Sequence, residues 1–392
     1  MTRIFSLWFT GALLLSAIGC DIEKPVWLKM YGADYNDSAN AVQQTSDNGY
    51  IVAGGEGSGG SSYLWVFKLN KNGLKQWTNT YDQKIFSEER MAIEQTGDGG
   101  YIVAATIYGG EFSEIYVTKL NSSGGREWSR AFGGSANYEA YDIHQTSDSG
   151  YIIAGLAQWY SDYHGIALKL AADGNREWEK SGVGYITIQQ TNDGGYLTVP
   201  YDALRGIRNR GIVKLDPSGE IEWSAASDTA TYGLNLTSDG GCVETCMVPG
   251  SDEEVYGGFF PLLKKRNRSG VEEWRAPLDT FPVDARYLLF YPLPAIQASD
   301  GGYLCAINVI CDNGECSTIC LRKLDAAGNE TWSRYYNTEQ KVYIMNSVRP
   351  ARDGGFIVSG KGRRGVGYDT QALVMKFDED GFIGSALTPM EF

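Results

Sequence analysis

The chain has 392 residues, and its 48 acidic against 34 basic side chains give a formal charge of −14. A field of that sign repels phosphate and argues against nucleic acid or an anionic lipid surface as partner. Tyrosine (25) and glycine (49) are abundant, and no long apolar stretch of 3.6-residue period occurs, so the composition excludes a helical protein and reads as all-β.

The first twenty residues have the layout of a secretory signal: Arg3, an apolar run over residues 4–15, then Ser16-Ala17-Ile18-Gly19-Cys20. The run is too short to span a bilayer comfortably. Ala17-Ile18-Gly19-Cys20 resembles a bacterial lipobox, with Ala17 where leucine is commoner. The resemblance implies that residues 1–19 are a lipoprotein signal peptide, that Cys20 is diacylated, and that residues 20–25 tether one domain spanning 26–392. The expected location is the cell envelope after export, with membrane contact only through the lipid.

Beyond residue 26 the chain repeats itself. Gln44-Thr45-Ser46-Asp47-Asn48-Gly49-Tyr50-Ile51-Val52-Ala53-Gly54 returns from Gln95, Gln145 and Gln190, and in weaker form from Leu236, Gln297 and Pro350. All seven copies keep an aspartate two residues before a glycine: Asp47, Asp98, Asp148, Asp193, Asp239, Asp300 and Asp353. Such a turn between runs of β-branched and aromatic residues predicts a hairpin. A second hairpin follows, with a lysine five residues before its glycine (Lys68, Lys119, Lys169, Lys214, Lys265, Lys323, Lys376) and a tryptophan four after it (Trp77, Trp128, Trp178, Trp223, Trp274, Trp332). The seventh unit has Ser385 where its tryptophan is due, while Trp27 stands 22 residues before Gly49, as Trp128 does before Gly150.

Two hairpins per unit make a four-stranded antiparallel sheet, and seven such sheets around an axis make a seven-bladed β-propeller. An open solenoid would need atypical capping repeats. Here the N-terminus supplies what the last repeat lacks, so residues 26–30 are expected to form the outermost strand of the last blade and close the ring. The recurring tryptophan is expected to pack between blades near the rim.

The repeats resemble those of bacterial and archaeal surface propellers built on Gln-Thr-x-Asp-Gly-Gly-Tyr-Ile-Val-Ala-Gly, and more distantly quinoprotein-type and WD40-like propellers. The resemblance covers residues 26–385 and implies a fold, not an activity. Leu236 and Pro350 depart from it at the glutamine position, Cys242 and Phe356 at the tyrosine. Nothing resembles a quinone or calcium site, and no cofactor or metal is expected.

The seven aspartates and lysines fall towards one end of each blade and read as turn caps and exposed ion pairs, each contributing at most about 1 kcal/mol. His144 occupies the position of Gln43, Glu94, Gln189 and Asn235 and reads as a blade residue rather than a base. Gly55-Glu56-Gly57-Ser58-Gly59-Gly60 matches a phosphate-binding glycine pattern but joins two predicted strands, so the helix such a loop needs is missing. Six cysteines follow Cys20; Cys305–Cys320 and Cys311–Cys316 nest around one hairpin and are expected to be disulfides. Cys242 and Cys246, about 13 Å apart in an extended strand, are too distant to bridge directly; they bond only if the strand breaks, or stay free.

The separation from first-hairpin glycine to lysine is 19 in the first four units and 24, 21 and 21 in the last three. These linkers, and those joining successive units, emerge on the face opposite the tight turns, which makes that face the expected working face. Its candidate ligand-binding residues are Trp159, Tyr160, Tyr163, Tyr256, Tyr291, Arg363, Arg364, Tyr368 and Asp369. The leading functional expectation is a non-catalytic, monomeric binding or scaffold propeller for a protein, peptide or glycan. The alternative is a propeller hydrolase or lyase with its acid and base among Asp252, Glu253, Glu254, Asp279, Asp284 and Asp369 on blades five to seven.

Overall fold

The computed structural model describes residues 26–32, 36–58, 61–86, 91–160, 162–202, 207–208, 211–249, 259–278, 288–311, 317–337, 341–364 and 370–384. The expected signal segment, the tether, Cys20 and Ser385 lie outside them.

Each repeat folds as expected. Blade one is the meander Ser38–Gln44, Tyr50–Ser58, Ser61–Leu69 and Lys75–Lys84, and six further antiparallel sheets of the same order follow around the ring. The glycine-rich segment after Gly54 is the hairpin between the second and third strands of blade one, with no helix behind it. Closure is by the N-terminus: Trp27–Tyr31 pairs antiparallel with Gln371–Phe377, Trp27 opposite Lys376, as the fourth strand of blade seven. The observed strand is one residue out of step with the expected 26–30.

Two blades depart from the pattern. The inner strand of blade six is split into Leu288–Pro292 and Ile296–Gln297, both paired with Tyr303–Cys311, because Pro294 cannot donate to a ladder. In blade four the second strand is reduced to Tyr196–Thr198, and a small ribbon, Tyr201–Asp202 with Ile207–Arg208, crosses to the sheet of blade three.

What joins blade to blade repeats with the sequence. The ring of each fourth-strand tryptophan lies under the second-hairpin glycine of the next blade, from Trp77 under Gly124 to Trp332 under Gly381 and, across the closure, Trp27 under Gly73. A Cβ at Gly270 would stand 2.6 Å from the Trp223 ring, and φ there is +79°, so both space and backbone demand glycine. Five of these tryptophans meet the motif tyrosine of the next blade edge-on or tilted, with centroids 5.3–5.9 Å apart from Trp274–Tyr303 to Trp77–Tyr101. The inter-blade packing expected of this residue is therefore present. A signal not read from the sequence accompanies it: a tyrosine four residues on donates its hydroxyl to the same glycine's carbonyl, as in Tyr31 to Gly73, Tyr81 to Gly124 and Tyr336 to Gly381.

Candidate functional site

On the tight-turn face the motif lysine reaches the motif aspartate in all seven blades, at 2.5–3.0 Å. These are not the exposed pairs expected. The lysine side chains are only 0–9% exposed, because each sits on a central strand covered on both faces and runs beneath the first turn, its ammonium filling the space a Cβ at the motif glycine would take. The aspartate also takes the turn's glycine amide and, in blades one to five, its threonine hydroxyl, as Asp98 does from Thr96 at 2.5 Å and Gly100 at 2.9 Å. Partial burial opposes the charge on Asp98, but the Lys119 and Thr96 hydrogen bonds outweigh it and hold the carboxyl at about 2. Asp47, Asp148, Asp193 and Asp239 sit at about 2 through the same partners. These aspartates are fixed anions with structural partners.

The axial channel, about 260 Å³ where it is lined by Asn40, Tyr141, Asp142, Thr187, Asn235 and Arg349, takes residues from the inner strands. On its wall is a cluster that sequence reasoning did not assemble. His144 contacts Glu94 of blade two at 2.5 Å through Nδ1 and Asp142 at 3.2 Å through Nε2. Burial favours the neutral ring, but the charges and hydrogen bonds of Asp142 and Glu94 prevail and lift the imidazole to about 10. Asp142 also accepts from Thr187 of blade four at 2.8 Å. With both nitrogens engaged and the ring protonated at neutral pH, the cluster is an ionic staple across three blades rather than an acid–base pair. The signal was Glu94 and His144 at one repeat position in adjacent blades.

The linker face brings together Trp159, Tyr160 and Tyr163 at the turn that joins the second and third strands of blade three. Trp159 faces Asp162 across the strand pair, leaving the two-residue loop 160–161. Such loops need positive φ and usually take Asn-Gly. Here Tyr160 adopts φ +54° with its side chain 99% exposed, a conformation costing an aromatic residue on the order of 1 kcal/mol. Gln158 steadies the tip, its Nε2 donating to the Tyr160 carbonyl at 3.0 Å and the Tyr163 hydroxyl at 2.8 Å. Trp159 packs edge-on against Tyr138 and His164. In neighbouring blade two, on the same face, Tyr108 (59% exposed) meets Phe86 (44%) at 5.0 Å.

Of the other sequence candidates, Arg363 is the penultimate residue of the second strand of blade seven, half-buried, and Tyr291 belongs to the inner strand of blade six. Tyr256, Tyr368, Asp369 and the acids Asp252, Glu253, Glu254, Asp279 and Asp284 lie outside the described residues, as do Cys316 and the side chains of Tyr291, Cys311 and Arg364.

The expected Cys305–Cys320 disulfide is not formed; both are free, buried thiols. The strand register sets Cys305 opposite Arg322 and Cys320 opposite Ile307, so the two cysteines share a face but stand diagonally. Diagonal positions are about 7–8 Å apart, beyond disulfide reach. Cys242 and Cys246, whose state the sequence left open, are also free. Burial pushes the Cys246 and Cys320 thiols up to about 11.

No family model matches the chain and no curated protein does. Solved structures place it among β-propellers. The polysaccharide lyase Uly1 aligns with TM-score 0.54 at 11% identity over 89% of this chain and 92% of its own. A protein of unknown function from Bacteroides caccae gives 0.43 at 13% over 80% and 94%, and Sqt1 from Chaetomium thermophilum 0.45 at 10% over 91% and 97%. At these identities the likeness is one of fold.

Proposed function

We propose that this chain is a non-catalytic binding propeller, tethered to the cell envelope through lipid on Cys20, that engages a protein, peptide or glycan through the aromatic patch of blades two and three. The observation that carries the reading is Tyr160, held fully exposed in a left-handed backbone that glycine or asparagine would adopt without strain. A conformational cost borne by an exposed aromatic residue is expected where that residue meets a ligand. The engaged state of the motif aspartates and of Glu94 and Asp142 supports a binding role over acid–base chemistry.

The test compares the full chain in detergent with Tyr160→Gly and Trp159→Ala on a glycan array and in cross-linking pull-downs. Tyr160→Gly relieves strain, so stability should hold or rise slightly while ligand capture falls about tenfold or more. Undiminished capture by both variants would sink the proposal. Loss of incorporated fatty acid in Cys20→Ala tests the tether separately.

A further inference from the structure

A second inter-blade device repeats around the tight-turn face. The motif glutamine of one blade reaches back and accepts the second amide of the preceding blade's first turn. Gln95 takes Ser46, Gln145 takes Gly97, Gln190 takes Ser147, Gln297 takes Ser238 and, across the closure, Gln44 takes Arg352, all at 2.7–2.8 Å. Five seams are clasped in this way. At the other two the glutamine is replaced, by Leu236 between blades four and five and by Pro350 between blades six and seven. Both of those seams hold a cavity of about 340 Å³, each lined by the replaced residue and by the turn whose amide is left unclasped, Asn192 or Ser299.

The six–seven seam carries more than a missing clasp. Four other motif lysines also reach a fourth-strand glutamate, Lys119 to Glu127 at 3.1 Å for instance, but blade six has Thr331 there. Lys68, Lys119, Lys169, Lys214, Lys265 and Lys376 each donate to the next residue's carbonyl as well. Among the described residues Lys323 has Asp300 alone, so its ammonium, 9% exposed and lining the cavity, retains donors to spare. Leu304, Pro350 and Phe356 give the cavity an apolar wall, and it continues into an outer opening of about 370 Å³ flanked by Glu379 and Asp380.

We propose that this seam binds a primary carboxamide of the glutamine type. Its oxygen takes the Ser299 amide and the Lys323 ammonium, its nitrogen donates to Glu379, and its aliphatic stem lies on the apolar wall. The protein's own glutamines show the mode of capture at five seams. The acids around the opening select the neutral amide over a carboxylate, which Asp300, Glu379 and Asp380 would repel. The carboxamide comes from free glutamine or from a glutamine side chain in a peptide, and the probes separate the two.

Saturation-transfer NMR on the full chain, with glutamine, Gly-Gln-Gly and their glutamate counterparts at millimolar concentration, reads the site. The result expected is saturable binding of a glutamine probe, about tenfold or more stronger than its glutamate counterpart. Binding of both glutamine probes points to the free amide, and of the tripeptide alone to a peptide; either supports the site. Ser299→Pro removes the amide donor at a turn position that suits proline, as Pro217 already shows in the Asp216–Gly219 turn, and should abolish binding. Pro350→Gln supplies the clasp from within and should abolish binding while the melting temperature holds or rises. If that variant does not fold, Ser299→Pro decides alone. No binding of either glutamine probe, or binding unchanged in Ser299→Pro, overturns the proposal.

Discussion

Replacing Trp27 by alanine tests ring closure at a single side chain. Trp27 is 9% exposed, lies under Gly73, meets Tyr50 at 5.8 Å and donates its indole N–H to the Lys71 carbonyl at 3.1 Å. Truncating a buried tryptophan costs about 3–5 kcal/mol. Unfolding entropy of about 2.1 cal/mol/K per residue, over the ~360 residues of a ring that melts as one unit, comes to about 0.75 kcal/mol/K, so a loss of about 4 kcal/mol lowers the melting temperature by about 5 °C. Trp128→Ala, the same change at an internal seam, should produce a drop of similar size in differential scanning calorimetry. Gly73→Ala gives a second reading. It should destabilise the wild type through its φ of +70° and a Cβ 3.0 Å from the indole, and destabilise Trp27→Ala less, because only the backbone part remains. A Trp27→Ala shift below about 1 °C beside a full shift for Trp128→Ala would refute closure by this strand.

The aspartate ring makes stability acid-sensitive. The folded-state pKa values of about 2 for Asp47, Asp98, Asp148, Asp193 and Asp239 lie below the unfolded value near 4, so the stability they contribute is present above pH ~4 and lost as pH falls towards 2. Asp98→Asn should therefore be less stable than wild type at pH 7 and indistinguishable from it near pH 2 in urea titrations; a constant gap would contradict the linkage. In blade five the fully buried Glu244 accepts from Arg266 Nε and from Thr231 at 2.8 Å, so Glu244→Leu should cost about 3–5 kcal/mol in urea unfolding, with much of it recovered in Glu244→Leu/Arg266→Met.

Ring, blade number and closing strand were legible because the residues that specify them recur at fixed offsets within each repeat, and the one gap, at Ser385, pointed to Trp27. Less could be read wherever a residue acts on a neighbouring blade. Leu236 and Pro350 stood out as departures, but the glutamine they replace works on a turn 43–59 residues away along the chain, or 308 at the closure, so their consequence needed the ring. His144 was placed in its blade, yet of the two carboxylates that hold its charge, Asp142 and Glu94, the second lies fifty residues earlier in another blade. The Cys305–Cys320 error is of another kind: a register shift of two keeps every side chain on its face, so alternation could not detect it. Of the linker-face candidates, the hairpin tip of Trp159, Tyr160 and Tyr163 was legible as a cluster because all three belong to one short loop.

Closure also explains how two seams can lack their clasp. A neutral hydrogen bond of this kind contributes about 0.5–1.5 kcal/mol. In an open array of blades the weakest interface sets the stability of everything beyond it, because a terminal blade leaves by breaking one seam. In a closed ring no blade departs without breaking two, and each of blades four to seven, which border an unclasped seam, keeps a glutamine clasp on its other side, at three–four, five–six or seven–one. The four–five seam retains a further bond, Gln189 Oε1 accepting from Leu236 N at 2.8 Å, so opening there still meets resistance. Once Trp27 locks the ring, the unclasped amides at Asn192 and Ser299 become sites where a ligand can supply what the repeat omits, and binding there would stiffen a seam rather than create one.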